Sequence, residues 1–151
     1  MTNSMLSFFG FSIPIIYLHL GTLFLTIPII LAADIYGSLW LKGKRQTLDP
    51  KILTYLHRGM WTGLILMILT GASMFWPLRE YLLHTPAFYI KMMFVLTLVI
   101  NGFFVGRFLE IATERPFVEL TPQEKKLLYV SGVASFIGWV GAIIAALSLG
   151  L

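Results

Sequence analysis

Residues 86–104 read PAFYIKMMFVLTLVINGFF, a largely apolar run with Lys91 near its start and Asn101 further in. A helix needs roughly 20 apolar residues to cross a hydrocarbon core of about 30 Å, and this run meets that length. A charged side chain in such a span costs on the order of 3 kcal/mol by insertion scales. Lys91 therefore needs a way out to the headgroups or a partner inside the bundle. Snorkelling is the plain answer, because a lysine within one or two turns of a helix end can extend its amine to the interface.

Working outward, three more stretches have the same character, giving candidate spans at about 11–40, 52–77, 87–109 and 127–150. Of the 151 residues 58% are apolar and only 12% charged, where a soluble domain carries about a quarter charged residues. The spans use up most of the chain, so the expectation is an all-α, integral membrane, up-down four-helix bundle forming one domain over residues 1–151. The first span reads as a retained helix rather than a signal peptide, since residues 1–10 carry no Lys or Arg. The chain has no cysteine, which excludes disulfides, thiolate metal ligands and thiol catalysis.

The basic residues set the orientation. LKGKRQTLDPK (41–51) and RFLEIATERPFVELTPQEKK (107–126) carry most of them, whereas the other side offers Arg79 and Lys91. By the positive-inside rule both charged loops are cytoplasmic and both termini lie outside, in a cell inner membrane. The net charge of +4 is thus accounted for without nucleic acid. Trp40 and Trp76 fall near span ends, where interfacial aromatics are expected. In LTPQEKKLL (120–128), Thr121 reads as an N-cap, Pro122 as the first helical residue and Glu124 as the return partner of a capping box. Ser131, Ser135, Gly138, Ala142 and Ala145 make a small-residue stripe on the last helix, and Gly59 and Gly63 stand at GxxxG spacing on the second. Both read as packing seams.

At about 1.5 Å rise per residue the polar groups can be placed by depth. His19 lies about 12 Å along from Phe11 and Lys91 about 8 Å along from Pro86, so both fall in the outer half, with His84 in the outer loop beside them. Asp34, His57, Arg58 and Arg107 gather toward the cytoplasmic end, where Asp34 could pair with Arg58 or Arg107. An imidazole and a neutral amine facing each other across a bundle can supply two axial nitrogens to one haem iron. His19 with His57 fails as a pair, because they sit near opposite faces of the membrane. His57 and His84 are weaker metal-ligand candidates than His19 and Lys91. Pro14 and Pro28 could bend the first helix around His19.

YLHLGTLFL (17–25), LHRGMWTGLILMILTGASMF (56–75) and YIKMMFVLTLVINGFF (89–104) resemble, in order, the first three helices of a four-helix membrane family. It contains the HemJ-type protoporphyrinogen oxidase and CopD-like proteins. The resemblance implies haem or porphyrin binding by His19 and Lys91, with Arg58 at the position of an arginine early in the second helix. The chain departs from the oxidase at Leu56-His57-Arg58-Gly59, at Asn101-Gly102 and at Ala33-Asp34. Those departures point to a haem-binding relative outside the oxidase itself.

The leading expectation is a haem b membrane protein in electron transfer or an oxidoreductase role, with a quinone, porphyrin or oxygen species as its redox partner. Copper handling is the second reading, on His57, Met60, Met67 and Met74 near one helical face. A non-catalytic subunit of a larger membrane complex, or a homo-oligomer, is the third. No HExxH, P-loop, GxSxG or dinucleotide fingerprint is present.

Overall fold

A computed structural model describes residues 15–149. Four helices follow one another: α1 (Ile15–Leu41), α2 (Pro50–Leu83), α3 (Pro86–Glu114) and α4 (Pro122–Leu147), with a 3-10 turn at Phe117–Glu119 before α4. Each is long and apolar enough to cross a membrane. The expected four-helix, all-α architecture is what forms, and the described residues contain no strand. The part of the first expected span before residue 15, with Pro14, lies outside the described residues, as does residue 150 of the last.

Local chemistry explains the helix ends. Gly43, with φ of 67°, closes α1 in the left-handed region, and the Lys44 N–H reaches back to the Leu39 carbonyl at 2.9 Å. That is a Schellman arrangement, in which a side chain at Gly43 would be strained. The Asp49 carboxylate caps α2 by accepting from the Lys51 and Ile52 N–H groups at 2.8 and 3.2 Å. Proline opens α2, α3 and α4, a position where its missing N–H costs nothing. The capping box expected at Thr121 forms in full, with Glu124 and Thr121 bonding reciprocally. Two spans run longer than hydropathy suggests: α2 continues through Pro77 to Leu83 and α3 to Glu114. Pro77 forfeits one backbone bond without ending the helix, as membrane helices tolerate.

The outward faces are apolar. Phe24 and Leu25 are each 75% exposed and Leu147 77%. In water, faces like these would aggregate; against lipid they are at rest. Inside, α1 packs chiefly on α2, and α3 on α4, with a lighter contact between α2 and α3. Small residues permit both close pairings. On α2, a Cβ at Gly59 would lie 3.1 Å from Ile29, and one at Gly63 would run into the buried Thr26. On α4, a Cβ at Gly138 would come within 2.7 Å of Leu98, and one at Gly141 within 2.5 Å of Phe94. Thus the seams read from Gly59, Gly63 and the α4 stripe are contact lines between helices.

The end carrying the basic loops holds a distinct aromatic and aliphatic core of Trp40, Leu48, Leu53, Ala112 and Leu120. Trp40 donates its indole N–H to the Arg115 carbonyl at 3.0 Å and meets Phe117 edge-on. The Leu48 N–H bonds the Ala112 carbonyl at 2.9 Å. Trp40, expected at the lipid interface, is therefore an interior residue, only 3% exposed. The connecting segments fold back over it, which local hydropathy does not encode. Trp76 does fit the interfacial expectation: it is exposed, with the Arg79 guanidinium 5.0 Å over its ring.

Candidate functional site

His19 stands near the beginning of α1, on the face turned to α2. Its neighbours there are Thr70 and Gly71: the imidazole Nδ1 is 2.7 Å from Thr70 Oγ1, and a Cβ at Gly71 would lie 3.6 Å from its Cε1. Thr70 has one hydroxyl proton, and it points at the α2 backbone, with the Leu66 carbonyl at 2.8 Å and the Met67 carbonyl at 3.2 Å. Thr70 can therefore accept from the imidazole Nδ1–H, and in that tautomer Nε2 carries the lone pair. Gly71 continues the glycine line of Gly59 and Gly63 along α2 to the level of the imidazole. Sequence reading stopped that line at Gly63, although the spacing of Gly71 was visible.

Lys91 comes from the first turns of α3 and is half-buried. It has no hydrogen bond or salt bridge among the described residues. The two residues expected to act together therefore share one end of the bundle, the end closed by the short α2–α3 turn. His84, in that turn, donates Nδ1–H to the Glu80 carbonyl at 2.6 Å and is exposed.

The structure does not bring Arg58 to this pair. It is exposed and lies about 18 Å along the α2 axis from Thr70, toward the basic end. Nor does Asp34 pair with Arg58 or Arg107: the one salt bridge among the described residues joins Arg115 to Glu124 at 2.7 Å. All three expected partners are exposed, and no ion pair joins them.

His57 occupies a different environment. Its Nε2 accepts from the Trp61 indole N–H at 3.1 Å; because indole only donates, the neutral ring carries its proton on Nδ1. That Nδ1 is buried without a hydrogen-bond partner, an omission worth about 1–3 kcal/mol. The ring forms part of the wall of a cavity of about 200 Å³ among all four helices near the basic end, together with Asp34, Ser131 and Ser135. A smaller cavity of about 40 Å³ lies between α2, α3 and α4 and is lined by Trp61, Asn101 and Trp139. Neither is lined by His19 or Lys91.

Asn101 has a structural role that the sequence left open. Its amide donates to the Ser131 carbonyl at 3.0 Å, and its oxygen accepts from the Ser131 hydroxyl at 2.7 Å. This buried two-bond clamp ties α3 to α4 across the small-residue stripe. Among the described residues, no group of three or more His, Asp or Glu gathers to hold a metal ion.

Comparison with models of known protein families, with characterised proteins and with solved structures finds no match. The chain is a four-helix protein built to sit in a membrane, and its chemistry has to be read from its own side chains.

Proposed function

We propose that the chain is a haem b-binding membrane protein serving electron transfer, with His19 and Lys91 as the axial ligands of one iron. The observation that carries this reading is the 2.7 Å contact of His19 Nδ1 with the Thr70 hydroxyl. A ligating histidine characteristically donates its other ring N–H to a neighbouring acceptor, which orients the ring and raises its basicity. Thr70 is placed to accept that N–H from His19, in the tautomer that leaves Nε2 as the donor atom. Lys91 supplies the second nitrogen as a neutral amine from the first turns of α3, at the same end of the bundle as His19.

Helices α1 and α3 are not among the closely packed helix pairs, so a flat group held by this pair would enter between those two helices. Haem, when bound, supplies one-electron chemistry. The protein's part is to fix the imidazole through Thr70, to hold the amine on α3, and to keep bulk water away behind apolar walls. The basic loops face the cytoplasm of the inner membrane in this reading, so the haem end is the outer one. The resemblance of 17–25, 56–75 and 89–104 to the HemJ and CopD-like family points the same way.

The test is the absorbance of the full chain purified in detergent from haem-replete cells. We expect a Soret band at one haem per chain, or its appearance on adding hemin, and its loss in His19→Ala. A preparation with no Soret band that also fails to take up hemin would overturn the proposal.

A further inference from the structure

The cavity at the basic end lies away from His19 and Lys91, and it has the attributes of a binding site in its own right. We infer that it takes a quinone-class molecule, a membrane-soluble six-membered ring bearing oxygen atoms. This inference does not rest on the haem reading.

Size limits the ligand first. An apolar cavity of about 150 Å³ holds benzene; this one, at about 200 Å³, has room for one substituted ring and not for a tetrapyrrole. The wall then carries two glycines with open space beside them, of which Gly132 is exposed. Gly37 on α1 and Gly132 on α4 both line it, and a Cβ built on either meets nothing within 4 Å. These glycines therefore differ from Gly63 and Gly138, whose missing side chains are occupied by a neighbouring helix. They leave open space at the cavity instead.

Polarity selects the chemistry. The wall is mostly aliphatic and aromatic, with few polar groups, the usual make-up of a small-molecule site. His57 offers a ring N–H with no acceptor, and Asp34 offers a carboxylate with no ion pair among the described residues. A donor and an acceptor on neighbouring helices suit a ring that carries a carbonyl and, in its reduced form, a hydroxyl. The histidine χ2 torsion is broad, so a turn of the ring presents Nδ1–H to the ligand oxygen, exchanging the Trp61 bond at Nε2 for it. Asp34 is itself exposed, so the cavity opens at the molecular surface rather than being sealed.

Trp40 stands in the same wall and Trp61 is bonded to His57, so tryptophan fluorescence reports on occupancy. Ubiquinone-1 titrated into the full chain in detergent should quench that fluorescence along a saturable curve. Gly37→Leu and Gly132→Leu, which fill the space, should each weaken binding by at least about tenfold. His57→Phe should weaken it about tenfold, the loss of one hydrogen bond, while His57→Gln, which keeps an N–H donor, should stay closer to the parent. Circular dichroism establishes that each variant is folded, and either glycine variant decides the matter if the other fails to fold. Linear quenching with one slope in the parent and the filled variants, the mark of partition into detergent, would overturn the inference. Saturable quenching that both filled variants leave unchanged would overturn it too. An unchanged Soret region in the glycine variants separates this site from the haem site.

Discussion

Thr70 decides what His19 can do. Its hydroxyl sits against the α2 backbone and can accept from the imidazole Nδ1–H, in the tautomer that leaves Nε2 unprotonated. Replacing Thr70 with Val removes the acceptor and leaves Nδ1–H unpaired. We expect Thr70→Val to lower haem affinity by about 10–100-fold, the usual cost of deleting such a supporting contact, and Thr70→Ser to restore most of it; a hemin titration of the three proteins measures this. The sequence carried His19 and Lys91 legibly, because an ionisable group in a span stands out against its background. It did not carry Thr70, which is one hydroxyl residue among several on apolar helices and becomes distinctive only once α1 and α2 are in register. The same limit explains Asp34. Rise per residue gives depth, but the rotation of each helix about its axis decides whether groups at one depth meet, and Asp34, Arg58 and Arg107 do not.

Among the elements, close packing decides stability. In Gly63→Ala the new methyl would press on the side chain of Thr26, which is only 1% exposed and cannot retreat. We expect a loss of about 1–3 kcal/mol, in the range for overpacking, whereas Gly21→Ala, with nothing within 4 Å, should cost little. Unfolding of each protein in mixed micelles compares them. Asn101→Leu breaks both bonds to Ser131, and hydrogen bonds between membrane helices average about 0.6 kcal/mol with a maximum near 1.7. A loss on the order of 1 kcal/mol is expected; a variant as stable as the parent would show that the clamp contributes nothing. The glycine pair, the α4 stripe and the Thr121 capping box were legible because each is a local pattern with a mechanical meaning. The burial of Trp40 was not, since it depends on contacts with Arg115 and Phe117, far along the chain.

For the whole molecule, hydropathy was sufficient to give the number of helices and their order, because each of the four is apolar on every side and connected by short segments. The charge distribution predicts an orientation, which can be tested in a chain that has no cysteine of its own. Single cysteines at Gln46 and Gln123 should react with a membrane-impermeant maleimide only after the cells are opened, and one at Thr85 should react in intact cells. The reverse pattern would invert the bundle. The central claim concerns one pair of nitrogens at the outer end, and low-temperature electron paramagnetic resonance of the ferric protein addresses it most directly. A low-spin signal in the parent that becomes high-spin in Lys91→Leu is the predicted result, since removing one axial nitrogen leaves the iron with His19 alone. A low-spin signal that Lys91→Leu leaves unchanged would contradict the account.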